Sequence, residues 1–202
     1  MSAVGIIGLI TIAAFYGSYF IKMFTQSKNG IKTDRMGRGS KPKKTFVIEI
    51  ILKASTFLTA GIQLISIVFI KNIPIVMQNN LLRYIGIVIA ILGVTIFITA
   101  IVTMHDSWRA GIDSTQKTEI INTGIYRYSR NPAFVGFDFL YVGIGLAFSN
   151  IINIIFACLS ILLLHLQILE EEKYLPTVFG KAYLAYKEKT GRYFGAGTGG
   201  RS

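Results

Sequence analysis

The sequence predicts an all-α, polytopic membrane protein with about five transmembrane helices, a C-terminal helical hairpin and an interfacial helix. Three observations predict it. Hydrophobic residues make up 52% of the chain and charged residues 15%, and the mean hydropathy is +0.54, which excludes an ordinary soluble domain. The apolar residues gather into long continuous runs instead of amphipathic stripes. Nearly all basic residues lie in the segments that would share one side of the bilayer.

Taken in order, the first run extends from Ser2 to Ile21 without a charge, long enough for the roughly 30 Å hydrocarbon core. Its first charge, Lys22, follows the apolar stretch, the reverse of a secretory signal, so a retained helix is expected. The second run, Phe46 to Ile70, carries Glu49 and Lys53 near its start, and the third, Leu81 to Met104, carries Arg83. Residues 1–104 thus read as three helices with a basic loop over 25–45. The fourth and fifth runs, Ala133 to Phe148 and Ile151 to Leu169, are separated only by Ser149 and Asn150 and predict a tight hairpin. The whole chain, 1–202, is read as a single membrane domain, with 195–202 a flexible Gly-rich tail.

Of the 21 Lys and Arg residues, only Lys71 and Arg83 fall on the side opposite the long polar segments. The positive-inside rule then puts the N-terminus outside and the C-terminus and the long segments in the cytoplasm. Topology and contact with anionic membrane lipids account for the formal charge of +11. No basic stretch has the interleaved aromatics that base stacking requires, so no nucleic acid partner is expected. The single cysteine, Cys158, excludes a disulfide framework and reads as a small buried apolar residue. His105 and Asp106 complete no ligand set, and no metal is expected.

Chemistry concentrates in residues 105–194. The stretch Gly124-Ile-Tyr-Arg-Tyr-Ser-Arg-Asn-Pro132 predicts a turn and a helix start, with Asn131 as N-cap and Pro132 at the first helical position. That helix terminus can receive an anion; equally, Arg127, Arg130, Tyr126 and Tyr128 suffice as interfacial anchors. Glu170-Glu171-Glu172, read as a helix C-terminus, opposes the helix dipole and implies either a cationic partner or an ion network with Arg127, Arg130 and Lys173. Phe179, Tyr183 and Tyr186 recur at helical spacing among lysines, as in an interfacial helix whose aromatics anchor it or cover a pocket. Within the bilayer stand Asp138, a functional candidate by its cost there, and His165, read as a neutral hydrogen-bonded imidazole.

Gly124 to Gly136, followed by Glu171-Glu172-x-x-Leu175, Phe179-Gly180, Tyr183 and Tyr186, resembles the isoprenylcysteine carboxyl methyltransferase family and the related integral-membrane phospholipid methyltransferases. The resemblance covers roughly residues 118–194. It implies an S-adenosylmethionine-dependent enzyme acting on a lipophilic methyl acceptor at the cytoplasmic face. By the family pattern, cofactor contacts fall on Thr118, Glu119, Ile120, Ile121, Tyr126, Asn131, Pro132, Ala133, Phe134 and Glu171. An acceptor carboxylate needs no base, whereas an amine must lose a proton, for which Glu172 or Asp138 is the candidate.

Three positions depart from the pattern. Asn131 stands where the family has His and Phe134 where it has Tyr. Gln167, expected at the substrate, stands where prenylcysteine enzymes carry a basic residue that meets the substrate carboxylate. A neutral amide makes no bidentate charge-assisted pair, so the acceptor is left open. Two alternatives stand beside methyl transfer: an NADPH-dependent membrane reductase of the sterol reductase type, and a non-catalytic membrane protein on the same scaffold.

Overall fold

The computed structural model describes residues 2–112 and 119–197. Thr118, expected at the cofactor, and most of the expected tail lie outside the described residues. The helices are α1 (Ala3–Lys28), α2 (Lys43–Val68), α3 (Asn80–Thr103), α4 (Pro132–Ala147), α5 (Ile151–Phe179) and α6 (Lys181–Lys189), with single 3-10 turns at His105–Ser107 and Gly124–Arg127. Four of them, α1, α2, α3 and α5, are long and apolar enough to cross a membrane, and the chain is a polytopic helical membrane protein. The fourth predicted span is shorter than the others: α4 has 16 residues, about 24 Å at 1.5 Å per residue.

The helices start where side-chain oxygens meet free N–H groups. Ser2 caps α1 through Gly5, Asn79 caps α3 through Leu81 and Leu82, and Asn150 caps α5 through Asn153. Pro132 opens α4 as expected, but the Asn131 side chain makes no capping bond and turns to the carbonyl of Arg192 at 3.0 Å instead. The largest departure concerns α5, which runs unbroken past Leu169 until Gly180, at φ +53, stops it. Glu170, Glu171 and Glu172 therefore sit inside a helix, about two turns before its end, where the terminal dipole penalty does not apply.

The tight turn between α4 and α5 forms as expected, yet α4 packs chiefly on α3, and α5 on α2. Lipid chains are as apolar as leucine, so close backbone approach and buried polar contacts must hold the pairs. Between α3 and α4 the approach is made by glycines: a Cβ on Gly93 would lie 2.7 Å from the Gly136 carbonyl oxygen, and one on Gly86 2.5 Å from that of Gly143. Between α2 and α5 the contact is polar. Ser55 and Thr59 each share a hydrogen bond of 2.8 Å with Ser160, Asn150 donates to Ser66 at 2.7 Å, and Thr45 donates to Glu170 at 2.8 Å. Cys158, expected to be buried, is exposed on α5.

Hydrogen bonds sort the connections into two ends. At one end the α1–α2 loop pairs with the segment after α3, Arg35 N donating to Ala110 O at 2.8 Å and Ala110 N to Thr33 O at 3.0 Å. Buried Glu49 locks that junction, accepting from Gly37 N at 2.8 Å, Lys41 Nζ at 2.6 Å and Ile112 N at 3.0 Å. At the other end the α2–α3 loop meets the α4–α5 turn through Val76 N and Ser149 O, 2.6 Å apart.

Gly93→Leu is expected to lower stability by roughly 1–3 kcal/mol through overpacking against α4, read as a lower unfolding midpoint in detergent. Gly61→Ala, on a helix surface with nothing within 4 Å of its added Cβ, leaves that midpoint unchanged or slightly raised.

Candidate active site

The polar end is tied together by Glu172, which is 7% exposed. Arg130, from the stretch before α4, donates to its Oε1 at 2.6 Å. Arg192, beyond α6, donates through Nε at 3.1 and 3.2 Å and through Nη2 to Oε2 at 2.9 Å. This is the planar two-toothed geometry that guanidinium favours. Glu172 in turn raises the pKa of Arg192 above its ordinary value, so the pair remains charged. Arg130 also donates to the carbonyls of Lys187 and Thr190, so one guanidinium fixes both α5 and the exit of α6.

That closure folds α6 back over α5 and the Gly124–Arg127 turn. Tyr183 and Tyr186 are 2% and 8% exposed and pack with Tyr126 and Ala100, so they cover a pocket and do not serve as interfacial anchors. Tyr186 Oη donates to the Tyr126 carbonyl at 2.6 Å. Burial pushes the phenols of Tyr126 and Tyr186 well up, and that of Tyr183 up to about 12, so all three are neutral donors at physiological pH.

The pocket beneath them is a cavity of about 150 Å³ bordered by Glu119, Ile120, Ile121, Tyr126, Glu171 and Arg109 among others. From α5 it is lined by Glu171, Tyr174, Leu175, Val178 and Phe179, one helical stripe at i, i+3, i+4, i+7 and i+8. Glu171 accepts a hydrogen bond from Gln167 Nε2 at 3.0 Å. Among the described residues no lysine or arginine pairs with it, whereas Glu170 binds Lys173 at 2.7 Å and Glu172 binds two arginines. Two of the three glutamates are thus spent on the fold, and the third faces the cavity.

A second, larger cavity of about 450 Å³ lies between α1, α2, α4 and α5. Its walls are apolar, with Tyr19, Phe97, Trp108 and Phe137 in an edge-to-face aromatic cluster. Its polar end carries Asp34 and Lys53, paired at 2.6 Å. Arg109 and Gly111 line both cavities, so the polar and apolar chambers share a wall at the segment after α3.

The structure therefore brings Glu119, Ile120, Ile121, Tyr126 and Glu171 to one cavity and places Ala133 and Phe134 at the other. Asn131 and Pro132 lie at the base of α4, tied to the C-terminal loop. Gln167, 0% exposed, orients Glu171. The two candidate bases line none of these walls: Glu172 is held by its arginines, and Asp138 lies on α4 with Oδ1 buried and without a hydrogen bond. His165 is hydrogen-bonded, its Nδ1 lying 2.6 Å from Tyr193 Oη. Sequence reasoning missed Arg109, Tyr174 and Val178; the helical period starting from Glu171 would have found the last two.

The chain is thus an all-helical membrane bundle with a tyrosine-covered polar cavity beside an apolar one. Residues 82–182, half of the chain, match the phospholipid methyltransferase family, and the chain belongs to that family of membrane methyltransferases. The Protein-S-isoprenylcysteine O-methyltransferase of Saccharomyces cerevisiae is 28% identical over 118 residues, 57% of this chain and 49% of the relative. The chain spans about half the length of that curated relative. The matched region begins in α3 and ends in α6, and so contains the α3–α4 glycine contact and the lining of the polar cavity apart from Tyr183 and Tyr186.

Glu172→Gln leaves two buried or half-buried guanidinium groups without a counter-charge, and a loss of roughly 3 kcal/mol is expected, the low end for a broken buried pair because Arg192 is 37% exposed. Unfolding in detergent checks it, and Glu170→Gln, whose partners Lys44 and Lys173 are 71% and 66% exposed and whose amide oxygen can still accept from Thr45, should cost under about 1 kcal/mol.

Proposed function

We propose that the protein transfers a methyl group from S-adenosylmethionine, held in the polar cavity, to a lipophilic or lipid-like acceptor held in the apolar cavity. The observation that carries the reading is the shared wall at Arg109 and Gly111, which sets the two chambers side by side. The basic residues of the long segments favour the cytoplasm for this end.

The residues present suit the methyl donor. Glu171, without a cation partner among the described residues, offers its carboxylate to an ammonium or sulfonium, and the faces of Tyr126 and Tyr186 add a further attraction for cationic charge. Ile120 and Ile121 offer an apolar bed for a purine, and Glu119 stands at the rim. The donor supplies an activated methyl on a sulfonium. At about 150 Å³ the chamber is below the roughly 300 Å³ of typical small-molecule sites, so full occupancy requires the α6 cover or the Glu119–Ile121 rim to move outward.

On the acceptor side the 450 Å³ chamber is of ligand size, and its walls exclude water from the reacting atoms. Glu172 and Asp138 line neither chamber, which favours an acceptor whose nucleophilic atom is already deprotonated. The polar end of the apolar chamber carries Lys53 and Arg109 against the carboxylate of Asp34, which Lys53 already pairs, and this balance among the described residues favours an anionic head such as a carboxylate. With no proton to move, the work of the chain is to align acceptor and methyl. The match to the methyltransferase family supports this chemistry over nicotinamide-dependent reduction.

Calorimetric titration of the purified protein in nanodiscs should show saturable S-adenosylmethionine binding and none of NADPH. Glu171→Gln should weaken that binding about tenfold, or ~1.4 kcal/mol. Unchanged affinity removes Glu171 from the site, and NADPH binding alone replaces the reading with reduction. Ala60→Trp, which fills the apolar chamber, should abolish methyl transfer to lipid extracts and leave the donor affinity within twofold.

A further inference from the structure

The wall that the two chambers share belongs to the stretch Arg109 to Ile112, which lies outside every helix. At Gly111 the backbone has φ +90, and a Cβ there would lie 2.8 Å from Met36 N, so the wall packs directly on the α1–α2 loop. That loop holds the wall through the two backbone hydrogen bonds that Thr33 and Arg35 make with Ala110. Two loops paired with each other still shift together unless a helix anchors them.

Glu49 supplies the anchor. It stands in the second turn of α2, is 0% exposed, and divides its oxygens between the two loops. Oε1 accepts from Ile112 N at 3.0 Å, and Oε2 accepts from Gly37 N at 2.8 Å and Lys41 Nζ at 2.6 Å. Leu52 and Lys53, three and four residues further along α2, share that helix face and line the apolar chamber. The carboxylate therefore fixes the wall to the helix that forms the acceptor side. Lys41, with its side chain 5% exposed, neutralises it, as a buried charge requires. Both ions lie within electrostatic reach of Glu171, and because they cancel, Glu171 keeps the net charge of the donor chamber.

We propose that Glu49 is a positioning residue for methyl transfer. It lines neither chamber, and it holds the wall so that the donor sulfur and the nucleophilic atom of the acceptor stay aligned where the chambers meet. The inference rests on the two-chamber reading above. A misplacement of about 1 Å in such an alignment costs up to roughly a hundredfold in rate. Donor binding, by contrast, runs through Glu171 and the tyrosines and is left in place.

The test uses the full chain in nanodiscs and the double variant Glu49→Met with Lys41→Met, which puts unbranched apolar side chains in place of both ions and leaves no buried charge unmatched. Methyl transfer from S-adenosylmethionine to a membrane lipid extract should lose roughly tenfold or more in maximal rate, with the apparent KM for the donor within about threefold of the wild type. Amide hydrogen exchange should quicken across residues 108–112 and not in α3. A merely structural role would lower protection throughout and leave the rate per folded, donor-binding molecule unchanged. Glu49→Gln with Lys41→Met, whose amide oxygen still accepts from one of the two N–H groups, guards against a failure to fold and should show the same split in smaller measure. Glu170→Gln, a carboxylate change at the same polar end, should keep the wild-type rate. The inference is overturned if the folded variants keep the wild-type maximal rate, if rate and donor affinity fall together, or if residues 108–112 stay protected. A wild type that neither binds the donor nor transfers methyl overturns the two-chamber reading and the catalytic role with it, and faster exchange at 108–112 in the variant then shows the anchor alone.

Discussion

A buried carboxylate, Glu172, holds the polar end of this molecule in its observed form. It is flanked by one arginine from the stretch before α4 and another from beyond α6, two segments that also pair with each other through Arg130 N to Gly191 O and Gly195 N to Tyr128 O. Such a triad is costly to desolvate and is stable only when every charge is matched, which makes it a device of specificity more than of gross stability. Here it specifies that α6 folds back, and that fold-back closes the polar cavity that Tyr183, Tyr186 and Glu171 border. The neighbouring glutamates show how finely the roles divide. One residue to either side of Glu171, the helical rotation turns a carboxylate away from the cavity and into an ion pair.

The membrane dictates the rest. Since lipid provides no hydrophobic drive for helix association, α4 is drawn onto α3 by glycines that allow backbone contact, and α5 onto α2 by a ladder of hydroxyls and amides. Phe15, Phe97 and Phe137 fill the centre, and the apolar cavity beside them runs along α1 and α2 to the polar end, where it meets Asp34, Lys53 and Arg109. The phospholipid methyltransferase match begins in α3, so α1 and α2, which lie outside the match, supply much of the apolar cavity's wall.

The spans were legible because charge-free runs of bilayer length have few other readings, and the grouping of the long segments followed from where lysine and arginine lie. The gathering of Glu119, Ile120, Ile121, Tyr126 and Glu171 around one cavity was legible from the family resemblance. What the sequence concealed was helical phase and continuation. The α5 helix crosses from lipid to polar surroundings without a break, so the end of the apolar run at Leu169 was not the end of the helix. Asn131 looked like a cap because its type and position suit one, but its amide is claimed by a carbonyl 61 residues away, a tertiary contact no local pattern reveals. Ala133 and Phe134 line the apolar cavity for the same reason: the rotation of α4 is set by its glycine contact with α3.

The central claim is that two chambers meet across Arg109 and Gly111, and a structure of the protein with S-adenosylhomocysteine bound tests it most directly. The account predicts the ligand between Glu171 and Tyr126, its sulfur turned toward the wall shared with the apolar chamber. A ligand seated elsewhere, or with its sulfur facing solvent and no path to that chamber, would contradict it.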